Sequence, residues 1–178
     1  MFHHRFIEIL SVSTEEQNLI KIKMNNYNQY MLECIELAKQ ALEKGNPPVG
    51  SLLVFENKII GRGIESGKSS GDITQHAEIL AVKDALVNGY RDVLEESVMF
   101  STHEPCIMCS YLIRHHKIAK LVFGVSVPFV GGQSSEFKIL ETETVPKWGN
   151  RPEIESGILQ HECELLNEQF TDYLAKQK

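Results

Sequence analysis

Residues 97–125 read SVMFSTHEPCIMCSYLIRHHKIAKLVFGV, and their reading decides the fold. Ser97 to Thr102 is a short apolar run bounded by polar residues, the pattern of a buried strand. Pro105 suits the first turn of a helix, where its missing N–H costs nothing, so Cys106 to His116 is expected to be helical. Lys120 to Val125 is a second apolar run of strand length. Strand, helix and strand in close succession argue for a parallel pair joined by a right-handed crossover. Cys106 and Cys109 stand at i and i+3 in that helix and therefore share a face. The positive end of the helix dipole favours thiolates at both positions.

Upstream, His76-Ala77-Glu78 opens another expected helix, from about Gln75 to Asn88, with Ile79, Val82 and Leu86 on one face and Thr74 as its N-cap. Before it lies a polar, glycine-containing loop at 64–75. Val49 to Phe55 and Lys58 to Gly63 read as a hairpin turning at Glu56-Asn57. An apolar periodicity from about Tyr27 to Lys44 (Met31, Cys34, Ile35, Ala38, Leu42) predicts a helix that Gly45 and Pro47-Pro48 stop. Residues 126–148 read as irregular, with one short helix near Ser135 to Leu140. A last helix is expected from about Gly157 to Ala175. Residues 1–24 read as an N-terminal extension, with Met24 an alternative start, and residues 25–178 as one domain. The whole is an α/β chain: a three-layer α/β/α sandwich on a mixed sheet of about five strands.

The 178 residues are enough for one domain with a full core. No apolar run is long enough to span a bilayer, and MFHHRFIEIL lacks the long apolar region of a secretory signal, so the expectation is a cytoplasmic protein with no membrane partner. A chain of this size without a secretory signal does not suggest a disulfide scaffold, so the Cys106/Cys109 pair reads as metal-binding or redox. One imidazole (His76) and two thiolates (Cys106, Cys109) make three ligands, and tetrahedral zinc then keeps a fourth position for water, the pattern of a catalytic site. Glu78, next but one to a ligand, is the candidate proton shuttle for hydrolysis at a ring carbon bearing an amino group.

These two motifs resemble the cytidine deaminase-like superfamily of zinc deaminases, whose signature they match. The likeness runs from about Tyr30 to about Phe170 and is nearest the branch that holds tRNA adenosine deaminases and guanine deaminases. PPVGSLLV, Asp72-Ile73-Thr74 before HAE, EPCIMC and KLVFGV carry it. The resemblance implies a deaminase with Zn2+ on His76, Cys106 and Cys109, Glu78 as the catalytic acid–base, and a homodimer. The expected substrate is a nucleoside or nucleobase, a purine such as guanosine, guanine or adenosine. Expected contacts to it are the N–H of Ala77, Pro47 against the base face, Glu65 and His103.

Departures from the branch bear on the substrate. Many members have Asn eleven residues before the zinc histidine; here it is Glu65, which when ionised only accepts hydrogen bonds. A glutamate at similar spacing holds a ribose hydroxyl in some cytidine deaminases, so Glu65 points to a nucleoside with its sugar attached. Ile73 replaces a usual Pro, and nothing in the sequence explains it. The net charge is −6, and residues 155–178 carry five acids against two lysines. The loop 126–132 is largely apolar. Basic phosphate contacts are what a tRNA-editing enzyme needs, so a free small molecule is expected ahead of tRNA, with adenosine-to-inosine editing of tRNA as the alternative.

Plainer readings stand beside these. The zinc centre would be structural if Cys163, Cys34 or His103 supplied a fourth ligand, giving a non-catalytic zinc-stabilised module. His103 either lines the pocket or is a strand-end histidine bonded to its neighbours. Cys34 and Cys163 read as core residues. Glu104 reads as a brace for its loop. His115 and His116 suit a helix C-terminus, and His3, His4 and His161 read as surface residues. Trp148, Phe129, Phe137 and Tyr173 are candidates for stacking on a flat ring.

Overall fold

The structure, a computed structural model, describes residues 13–177. Helix α1 spans Thr14–Glu43. Ser13 caps it: its hydroxyl accepts from the Glu16 N–H (3.2 Å) while the Glu16 carboxylate accepts from the Ser13 N–H (2.9 Å). This reciprocal box starts the helix well before the expected Tyr27, and α1 runs unbroken across position 24. His3, His4 and the rest of residues 1–12 lie outside the described residues.

Strands β1 (Gly50–Phe55) and β2 (Lys58–Ile64) form the expected hairpin. Glu56 and Asn57 both take positive φ, 47° and 62°, the pair of left-handed residues that a two-residue turn needs to match strand twist. Then follow a single helical turn α2 (Gly67–Ser70), helix α3 (Ala77–Val87), strand β3 (Val98–His103), helix α4 (Ile107–His115), strand β4 (Lys120–Val125), strand β5 (Glu153–Ser156) and helix α5 (Gln160–Ala175). Two 3₁₀ stretches, Arg91–Glu96 and Pro146–Trp148, were not expected.

The sheet order is β2-β1-β3-β4-β5. The first two pairings are antiparallel, while β3/β4 and β4/β5 are parallel, so the sheet is mixed and five-stranded as expected. The period-2 alternation of each strand builds two cores. Leu52, Val54, Phe100 and Val122 face α1 and α5, meeting Met31, Cys34, Ala38, Cys163 and Leu166. Leu53, Met99, Leu121 and Phe123 face the other way, meeting Val82, Ala85 and Ile113 of α3 and α4. Cys34 and Cys163 are free, fully buried thiols in the first of these cores.

Helix α3 lies unusually close to β2. A Cβ on Gly63 would sit 1.8 Å from the Ala77 carbonyl oxygen, and one on Gly61 2.2 Å from that of Ala81. Only glycine allows that approach, and it sets where the His76–Glu78 segment stands.

Two local expectations are corrected. Thr74 does not cap α3: its hydroxyl and N–H both bond the Asp72 carboxylate (2.7 and 2.9 Å). Asp72 thus closes an Asx turn, and His76 occupies the N-cap position without capping through its side chain. Residues 135–140 form turns and bends, not a helix. Ser135 bonds the Gly131 carbonyl and accepts from the Phe137 N–H, the local competition that makes Ser a poor helix former.

Candidate metal centre and active site

Helices α3 and α4 present their N-termini to the same place. His76 and Cys106 are the two N-cap residues, each with extended backbone, and Cys109 lies in the first turn of α4. The nitrogen of His76 and the sulfurs of Cys106 and Cys109 all lie within 4.8 Å of one another. Nδ1 of His76 is 3.5 Å from each sulfur. Tetrahedral zinc with ordinary Zn–N and Zn–S bonds places nitrogen and sulfur about 3.6 Å apart, so the donors fit the ion in kind and spacing. Among the described residues no fourth side chain joins this group.

The electrostatics suit a cation. A hydrogen bond from Cys109 and the adjacent His76 hold the Cys106 thiol down at about 4. The bond to Cys106 pushes His76 up to about 9. Cys109, bonded to the Cys106 sulfur and buried, is pushed upward and keeps its proton.

Glu78 is buried (3% exposed). Its Oε1 accepts from the Ser101 hydroxyl at 3.0 Å, and its Oε2 lies 3.3 Å from the Cys109 sulfur. Burial raises its pKa, the direction a proton shuttle needs. Ser101 is the residue that sequence reasoning missed. The signal was there: Ser101 shares the α3-facing side of β3 with Met99, a polar residue at a core-facing position.

Glu65 is nearly buried (5% exposed). Its carboxylate accepts from the Gly67 N–H at 2.8 Å, and the nearby N–H of Ala77 helps to lower its pKa. Burial raises its pKa, and the His76 charge opposes that. The structure thus places Glu65 beside His76 and Ala77. Pro47 is half-buried, and its carbonyl accepts from the Val49 N–H. His103 has both ring nitrogens engaged: Nδ1 is 3.1 Å from the Thr102 hydroxyl and Nε2 2.8 Å from Oδ1 of Asn167 on α5. Burial lowers its pKa, so it stands as a neutral tie between β3 and α5.

Of the aromatic candidates, Trp148 packs under Arg114 and edge-on to Tyr111. Tyr173 stacks on Phe170 beneath Lys68. Phe129 (87%) and Phe137 (44%) are exposed. His115 stacks on Tyr111 and His161 is exposed. Glu104 does brace its loop: its carboxylate accepts from the N–H groups of Val127, Gln133 and Ser134, each at 2.8 Å. No helix among the described residues is long and apolar enough to cross a membrane.

Residues 24–125 match the family model of the cytidine and deoxycytidylate deaminase zinc-binding region. The tRNA-specific adenosine deaminase of Aquifex aeolicus is 38% identical over 143 residues, 80% of this chain and 93% of that one. A structure from a study of A-to-I editing by tRNA:A34 deaminases at the wobble position superposes with a TM-score of 0.71 at 26% identity, covering 78% of this chain and 98% of its own. The guanine deaminase of Bacillus subtilis shares the fold, with a TM-score of 0.52 at 24% identity over 55% of this chain and 63% of its own. The matched region contains all three candidate ligands and Glu78, and the chain belongs to the cytidine and deoxycytidylate deaminase zinc-binding family, as a hydrolytic zinc deaminase.

Proposed function

We propose that this chain deaminates adenosine to inosine in tRNA, with His76, Cys106 and Cys109 holding zinc and Glu78 moving the protons. The observation that carries the reading is the extent of likeness: nearly the whole length of a dedicated tRNA adenosine deaminase aligns with this chain at 38% identity. The net charge of −6 counted toward a small molecule, but phosphate contacts depend on local charge, which net charge does not report.

Bound zinc supplies Lewis acidity that brings the pKa of water to about 7 and so makes hydroxide available at neutral pH. Ser101 holds Oε1 of Glu78, so that Oε2, which faces the Cys109 sulfur, is the oxygen that would accept the water proton. Glu78 delivers that proton to the ring nitrogen beside the attacked carbon. It then carries the second water proton to the amino group, which leaves as ammonia while the ring carbon gains an oxygen. Burial of Glu78 and Ser101 excludes competing bonds from solvent.

A second reading is favoured by one observation. Glu65 places an acceptor-only carboxylate beside His76, suited to a free purine base or nucleoside that presents N–H or O–H groups. One assay separates the two: ammonia release from a tRNA anticodon stem-loop, set beside adenosine, guanosine, cytidine, their deoxy forms and the free bases. Inosine formed only in the stem-loop supports editing. Turnover of a free nucleoside or base without the stem-loop overturns it in favour of the second reading.

A further inference from the structure

Glu104 directly precedes Pro105-Cys106, and its side chain is 2% exposed. Both carboxylate oxygens are filled by one loop. Oε2 accepts from the Val127 N–H, Oε1 from the N–H groups of Gln133 and Ser134, and the Ser134 hydroxyl makes a further, short bond to Oε2. The same loop is also sewn to the ligand-bearing backbone. Gly131 bridges Cys106, the Ile107 N–H reaches the Val130 carbonyl at 2.9 Å, and the Gly132 N–H reaches that of Pro105 at 3.0 Å. The loop wraps the carboxylate so closely that a Cβ on Gly131 would lie 2.3 Å from Cδ and Oε1 of Glu104. A buried carboxylate with no cationic partner among its bonds, solvated by backbone N–H groups, is a costly arrangement unless all its acceptors are filled. Here they hold a single loop geometry around the zinc ligand Cys106.

We propose that Glu104 is a positioning residue of this deaminase: it fixes residues 127–134 against Cys106, so that the loop forms a preset wall of the substrate site and Cys106 keeps its ligating geometry. The proposal rests on the zinc-deaminase assignment but not on which substrate is turned over. Glutamine cannot replace Glu104, because its NH2 group would face N–H donors.

The test uses the zinc-loaded full chain and Glu104→Gln, with Ser134→Ala as a milder variant that removes only one donor. Amide hydrogen exchange at Val127, Gln133 and Ser134 should speed up about tenfold or more in Glu104→Gln, while β3 and β4 amides stay protected. Zinc retention against a chelator should weaken by about tenfold, the usual effect of losing a partner behind a metal ligand. KM for the substrate turned over should rise more than kcat falls, and Ser134→Ala should move each readout the same way by less. Should Glu104→Gln not fold, the same readouts on Ser134→Ala decide. Unchanged loop exchange and zinc retention would overturn the proposal. So would a uniform loss of protection and activity with no split between KM and kcat, which would make Glu104 a stability residue only.

Discussion

At the residue scale the proposed chemistry turns on His76, Cys106, Cys109, Glu78 and Ser101. Glu78→Gln keeps the shape and loses the shuttle. Turnover should fall by about 10²–10⁴ with zinc content unchanged by metal analysis; turnover near wild type would remove Glu78 from the mechanism. Ser101→Ala should lower kcat roughly tenfold, the order of a bond to a charged group worth about 1.5 kcal/mol, again without zinc loss. The same three groups make a pH prediction. His76 holds its proton up to about 9 and Cys109 is pushed upward, whereas Cys106 is already a thiolate above about 4. Zinc must displace the protons of His76 and Cys109, so near pH 7 binding should release about two protons and its affinity should rise as pH rises. Calorimetry in buffers of different ionisation enthalpy counts them, and release of none would contradict the charge state described here.

These residues were unequally legible in the sequence. The candidate ligands and Glu78 were named from two short motifs: helical spacing puts Cys106 and Cys109 on one face, and Glu78 stands next but one to His76. Ser101 showed only as a polar residue at a core-facing position; that it bonds Glu78, on a helix 23 residues earlier, is set by the packing of α3 on β3. His103 was open between pocket and packing; only the position of Asn167 on α5 shows where both its nitrogens go.

At the element scale, the α3 and α4 N-termini meet because both helices pack on one face of the β1/β3/β4 core. The glycines of β2 set the height of α3. Gly63→Ala would drive a methyl into the Ala77 carbonyl, which α3 can relieve only by moving away from the sheet. Stability should fall by about 1–3 kcal/mol, and zinc affinity should weaken although Gly63 is no ligand. Thermal melting and chelator competition read the two effects, and full zinc affinity would show that α3 tolerates the shift. Long periodic helices and apolar strands were readable from the sequence. The Thr74 cap and the short helix at 135–140 were misread because Asp72 and Ser135 side chains compete locally for backbone groups. Strand β5, four residues of Glu-Ile-Glu-Ser, was too short and polar to stand out and exists through its pairing with β4.

At the scale of the whole molecule the question is what reaches the site. The chain is acidic overall, yet it is similar to the tRNA-specific adenosine deaminase of Aquifex aeolicus over most of that protein's length. If the substrate is tRNA, binding must come from local basic groups, and stem-loop affinity should fall steeply between 50 and 200 mM salt, as counterion release requires. A free nucleoside would show almost no such dependence. Electrophoretic or fluorescence titration at several salt concentrations measures the slope, and a flat slope would favour the small-molecule reading.

The measurement that tests the central claim most directly is ammonia release by the zinc-loaded protein and by Glu78→Gln, on the stem-loop and the nucleoside and base panel. Stoichiometric ammonia and the deaminated product from the wild-type protein, lost in Glu78→Gln and after zinc removal, is the predicted result. Ammonia release that survives either change, or none from any aminated ring, would contradict the account.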